Sequence, residues 1–191
     1  MAELPAFAAW RHVEAWDGFE VLFPHSDADG YRFDGYTTAV EGGDAWAVSY
    51  SLTVDAGWAT RSARIVSRTA SGERETTLGG DGGGAWRVDG APAPELDGCL
   101  DVDLEASAFT NAFPVHRLRL VVGERADAPA VYVRAVDLSV ERLEQTYERL
   151  EDDGERARYD YAGPRFDYHD ELVYDRLGFV LTYPGLAVRI A

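Results

Sequence analysis

Lysine is absent from this sequence. All 18 basic residues are arginine, set against 34 aspartates and glutamates, and the formal net charge is −16. Schiff-base chemistry and phosphate loops both need the lysine amine, so both are excluded. The acidic excess repels nucleic-acid phosphates and anionic membrane surfaces, and no nucleic-acid partner is expected. Cysteine is nearly missing as well. The single Cys99 cannot close an internal disulfide, and its neighbours Asp97 and Asp101 argue against an activated thiolate. No apolar run approaches the ~20 residues a spanning helix needs, so no integral membrane association is expected. The opening MAELPAFAAWRHVEAW has neither the basic nor the apolar region of a secretory signal. With the lone cysteine, this predicts a cytoplasmic location. His12, His25, His116 and His169 are scattered without a metal-binding cluster, and no GxSxG elbow occurs; no metal or cofactor is expected.

The acidity predicts a halophilic surface, because screening at high salt weakens self-repulsion. A GC-rich genome that prefers arginine codons is the alternative. Hydrophobic residues make up 46% of the chain, a globular composition. Without a linker or compositional break, residues 1–191 are expected to form one domain.

Period-two patterns dominate. GFEVLF (18–23), WAVSYSLTV (46–54), VHRLRLVVG (115–123) and AVYVRAV (130–136) all read as strands. Aspartate and glycine cluster between them, as turns require. Residues 139–150 are ambiguous: Val140, Leu143, Tyr147 and Leu150 fall at helical spacing, while Gln145-Thr146-Tyr147 and an Asp152-Asp153-Gly154 turn suit a hairpin. A weak repeat at an offset of 94 residues aligns Arg64, Leu78, Asp81 and Gly84 with Arg158, Leu172, Asp175 and Gly178. Repeated hairpins of this kind build large curled antiparallel sheets.

The stretch GCLDVDLEASAFTNAF (98–113) alternates Leu100, Val102 and Leu104 with Cys99, Asp101, Asp103 and Glu105. A hairpin turning at Thr110 would set Asp103 opposite Arg117 and Asp101 opposite Arg119, two register-holding ion pairs. Alternatively this charged ladder, with Thr110, Asn111 and His116, lines a cavity mouth and binds polar head groups. Asp101-Val102-Asp103 also matches a weak D-x-D metal pattern, and its carboxylate spacing suits glycoside hydrolysis. Neighbouring arginines would lower both carboxyl pKa values, which argues against an acid catalyst. Trp58 and Trp86 are candidates for stacking sugars or lining a lipid cavity, against the simpler reading of core aromatics.

Several blocks together resemble a bacterial family described as "putative glycolipid-binding". They are Trp10 with Gly18-Phe19-Glu20, Gly57-Trp58-Ala59-Thr60-Arg61, Gly84 to Gly90, LDGCLDVDLEASAFTNAFPVHRLRL, Gln145-Thr146-Tyr147-Glu148-Arg149, Arg158 to Tyr161 and LVYDRLGFVLTYPGLAVR. Where the family pattern would place Thr-Pro before Thr-Asn, this chain has Ser107-Ala108, and Val115-His116-Arg117 replaces an Ile-Arg-Arg run. The resemblance implies a mainly β fold with few or no helices, a single large curled antiparallel sheet in a spiral β-roll, and it favours strand for 139–150. It implies a non-enzymatic protein whose partner is a lipid or glycolipid held in the concavity of the roll. The ligand-binding candidates are then Trp58, Arg61, Trp86, Asp101, Asp103, Thr110, Asn111, His116, Arg117, Arg119 and Tyr147. The rival expectations are a hydrolase or transferase working through Asp101 and Asp103, and a protein-interaction module.

Overall fold

The computed structural model describes residues 4–26 and 28–191. The first eight strands are β1 (Ala8–His12), β2 (Asp17–Ser26), β3 (Gly30–Glu41), β4 (Asp44–Asp55), β5 (Thr60–Thr69), β6 (Gly72–Gly80), β7 (Trp86–Val88) and β8 (Ala91–Pro92). The middle of the chain holds β9 (Asp101–Leu104), the helix α1 (Ala112–Leu118), β10 (Arg125–Asp127), β11 (Ala130–Val133) and β12 (Val140–Leu143). It ends with β13 (Thr146–Arg149), β14 (Ala157–Gly163), β15 (Tyr168–Tyr174), β16 (Val180–Tyr183) and β17 (Ala187–Arg189).

Fourteen strands make one open antiparallel sheet, curled as a β-roll, in the order β10-β13-β14-β15-β16-β17-β1-β2-β3-β4-β5-β6-β7-β8. Two meanders therefore meet along β1 and β17, where Trp10 faces Arg189. Residues alternate between buried and exposed along β3, β4 and β14, because successive side chains point to opposite faces of the sheet. The ambiguous stretch 139–150 holds two strands, β12 and β13, as the family resemblance implied, separated by Glu144 and Gln145.

Three turns share one device. The Oδ1 atoms of Asp55, Asp81 and Asp175 each accept backbone N–H groups two and four residues on, at 2.7–3.1 Å. The fourth residue of each turn is left-handed: Trp58 at φ 68°, Gly84 at 102° and Gly178 at 74°. The repeat at offset 94 thus corresponds to a recurring aspartate-anchored turn. Glycine takes this conformation at little cost, whereas tryptophan at φ > 0 stores strain.

A smaller sheet, β12-β11-β9, contributes Val102, Leu104, Val131 and Val133 to the same core as Trp10, Phe33 and Leu52 of the large sheet. All four residues of β9 and all four of β11 are buried. Phe109 and Phe113 are fully buried at the centre, each worth roughly 2–3 kcal/mol. The middle of the roll is therefore largely filled by the chain's own segment 99–118.

Two expectations are corrected. VHRLRL is not a strand: Ala112–Leu118 is a helix, with Pro114 in its first turn, where a missing N–H leaves no helical bond unmade. Val115, Leu118 and Leu120 lean on the second core cluster under β14 and β15, which rewards a helical turn over a strand. The 101–119 hairpin does not form either. β9 pairs in parallel with β11, Asp101 opposite Ala130 and Asp103 opposite Tyr132. The polar face of β9 is consequently not the wet side of a sheet.

Candidate functional site

Asp101, Asp103 and Glu105 fall on one side of β9 and its extension, since the Glu105 amide continues the ladder to the Val133 carbonyl at 3.0 Å. Arg117 reaches back from α1 and clasps Asp101 with both ends of its fork, Nε to Oδ1 at 3.0 Å and a terminal nitrogen to Oδ2 at 2.5 Å. Burial pushes the Asp101 carboxyl up, opposed by Arg117. Glu105 accepts from Arg134 at 3.1 Å and from the Ala135 amide at 2.8 Å.

Asp103 differs from both. It is 7% exposed, and its one hydrogen-bond donor among the described residues is the Thr110 hydroxyl, at 2.9 Å. No arginine or histidine of the described residues forms an ion pair with it. Burial raises its pKa to about 6, with Thr110 opposing and the charges of Asp101 and Glu105 adding to the rise. Thr110 also accepts the Leu104 amide at 3.2 Å, which fixes the hydroxyl in place. Asn111 accepts from the Tyr147 hydroxyl at 2.7 Å through its side chain and from Tyr174 at 3.2 Å through its carbonyl.

A cleft of about 390 Å³ opens beside this strand. Asp103, Glu105, Ser107, Asn111 and Arg134 supply its polar lining. Trp16, Tyr132, Tyr161, Phe166, Tyr168 and Tyr183 supply its aromatic walls. Tyr161, Tyr168 and Tyr183 pack against one another with centroids 5.4–5.9 Å apart. Across from them the Arg134 guanidinium lies 5.5 Å from the Tyr132 ring and 5.6 Å from Phe166. The size and the mix of apolar walls with few polar groups are those of a small-molecule site.

Of the residues expected from sequence, only Asp103 and Asn111 line this cleft. Thr110 and Tyr147 lie one bond behind them. Arg117 serves Asp101, and Arg119 caps the helix end with φ 50°, its Nε donating to the His116 carbonyl at 3.3 Å. Trp58 stacks on His116, Trp86 donates its indole N–H to the Cys99 carbonyl at 2.8 Å, and Arg61 approaches Asp55 at 3.6 Å; none of these lines the cleft. The aromatic walls were missed. Seven of the ten tyrosines lie between residues 132 and 183, a density that marks this half of the chain.

A further buried carboxylate, Glu20, fastens the central segment to the sheet. It accepts from Tyr50 at 2.6 Å, from the Ser107 hydroxyl and from the Ala108 amide at 2.9 Å. Burial raises its pKa to about 7, with those hydrogen bonds opposing. Ser107 thereby links Glu20 to the cleft wall.

Among solved structures, a DUF1089 family protein from Pseudomonas aeruginosa is similar, at 32% identity and a TM-score of 0.77, over 90% of this chain and 92% of that one. A comparison with functionally curated proteins found no match. Residues 7–189 match a family model, and on that match the chain belongs to the family described as "Putative glycolipid-binding".

Proposed function

We propose that this protein binds a glycolipid or similar lipid-like ligand, without chemical change to it, in the cleft beside β9. One observation carries the reading: aromatic walls and a polar lining meet in one cleft of about 390 Å³. Rings offer apolar area to hydrocarbon or to sugar faces, while carboxylate and amide oxygens accept from hydroxyls. The volume is on the order of a dozen waters, enough for a head group and the start of a chain. The residues that would contact the ligand are Asp103, Asn111, Tyr161, Tyr168 and Tyr183, with Thr110 and Tyr147 positioning the first two.

The hydrolytic alternative has less support. It needs Asp101 and Asp103 as a pair; burial raises both carboxyls rather than the neighbouring arginines lowering them, yet both oxygens of Asp101 are held by Arg117 and only Asp103 lines the cleft. Native mass spectrometry of gently purified protein, together with Trp16 fluorescence during titration with octyl β-glucoside, tests the binding. A co-purified lipid or a saturable change in emission is expected. Protein that arrives empty and leaves emission unchanged would dismiss the proposal.

A further inference from the structure

Along β9 and its extension stand three buried or half-buried carboxylates, Asp101, Asp103 and Glu105, served by two guanidinium groups. Arg117 takes the first and Arg134 the third. The middle one has a single hydroxyl donor and lines the cleft. Resting on the binding function proposed above, we propose that the ligand supplies the missing positive charge: the cleft selects a head group that carries a protonated amine or quaternary ammonium, seated against Asp103 between the tyrosine walls.

Three observations support this. A buried ionised carboxylate without a counter-ion is costly, so a cation brought to Asp103 recovers more than a neutral group can. The faces of aromatic rings attract organic cations, and recognition of ammonium groups in aromatic surroundings is the recurring use of that attraction. The cleft already shows the pattern once, because the Arg134 guanidinium lies over Tyr132 and Phe166 while pairing with Glu105. Arg134 does not neutralise Asp103, since its charge is shared between Glu105 at 3.1 Å and Glu141 at 3.5 Å. The net charge of −16 further raises the local concentration of cations.

The test uses the full chain and two probes of equal tail length, hexyltrimethylammonium and hexyl β-glucoside. Titration calorimetry near pH 7.5, where the carboxylate is ionised, and about 0.3 M salt, which screens the surface charge, reads both affinities. The ammonium probe is expected to bind at least about tenfold tighter. Asp103→Asn, which keeps an oxygen for Thr110, should abolish that preference by weakening the ammonium probe at least about tenfold. Tyr168→Leu, which keeps the carboxylate, should weaken the ammonium probe about fivefold. Circular dichroism and melting confirm that each variant is folded. Equal binding of the two probes, or a preference that survives Asp103→Asn, overturns the cation inference and leaves the binding function standing. Failure of both probes to bind overturns the binding function for this cleft, and the inference with it.

Discussion

Trp58 and His116 stack ring upon ring, with centroids 3.6 Å apart and planes 5° from parallel. Trp58 occupies the left-handed position that glycine fills in the two sister turns, and His116 comes from α1. Gly178, the equivalent position in the third turn, closes on His116 as well: a Cβ there would lie 2.6 Å from His116 Nε2. Two copies of one turn thus meet a single imidazole, whose Nε2 is buried without a hydrogen-bond partner among the described residues. Burial lowers the His116 pKa to about 4.

Gly178→Ala is expected to cost more stability than Gly154→Ala. Both glycines have φ near 70°, so both substitutions carry the left-handed strain of about 1–2 kcal/mol. Only Gly178 has a neighbour in the way, since Gly154 faces open space. Urea denaturation of the two variants reads the difference, and equal losses would rule out the crowding of His116.

Arg117→Met should destabilise the fold by about 3–5 kcal/mol, because it strands a buried carboxylate. The double variant Asp101→Leu with Arg117→Met should recover most of that loss. Neither residue lines the cleft, so affinity for a cleft ligand should be unchanged in the folded double variant. Chemical denaturation and titration calorimetry check the two halves of this expectation.

Asp103 should make the protein less stable as pH rises from about 4 to about 6. Its folded pKa is raised to about 6, so the unfolded chain releases the proton first, and the folded state falls behind across that window. Asp103→Asn removes this slope, so the stability of wild type relative to the variant should drop between pH 4 and 6 and level off above. His12 and His116 work in the opposite sense: their lowered values near 4 give stability that is complete above about 6.5 and lost as pH falls. Denaturant midpoints of both proteins across this range isolate the Asp103 contribution, because Glu20, whose raised value near 7 acts in the same sense as Asp103, and the two histidines are common to both.

Glu20→Gln should cost about 2–3 kcal/mol in spite of its matching shape. The carboxylate accepts from Tyr50, Ser107 and Ala108; with the Gln oxygen kept on the Ala108 amide, its NH2 would face the Tyr50 and Ser107 hydroxyls, which must turn from donating to accepting and lose their charge-assisted bonds. Calorimetric melting gives the loss.

Melting temperature should rise between dilute buffer and molar potassium chloride. Surface pairs such as Arg64–Glu75 weaken with salt, yet 34 carboxylates against 18 guanidinium groups make repulsion the larger quantity. A flat or falling curve would assign the acidity to another origin.

Much of the large sheet was legible because its strands have one buried face, so alternation in β4 is written directly in residue type; β2 is the exception, burying Glu20 and Leu22 while Phe19 and Phe23 face outward. The aspartate turns were legible for a similar reason, since their chemistry is local. β9 misled because Asp101 and Asp103 alternate with Val102 and Leu104 as surface residues would, while a second layer covers both sides. Of the partners that permit their burial, Thr110 lies in the turn just before α1, and Arg117 acts from the helix that the alternating VHRLRL concealed. The cleft walls were hidden differently: Trp16, Tyr132 and Tyr183 lie far apart in the chain and meet only through the curl of the sheet.

The seam between β1 and β17 has a consequence for synthesis. The Trp10 indole N–H donates to the Val180 carbonyl across 170 residues, and the Ala9 carbonyl accepts the Ile190 amide at 2.8 Å. During translation β1 therefore waits, one side unsatisfied, until the residues of β17 have left the ribosome. Such distant closure predicts slow maturation and a nascent-chain stage in which a holding chaperone determines yield.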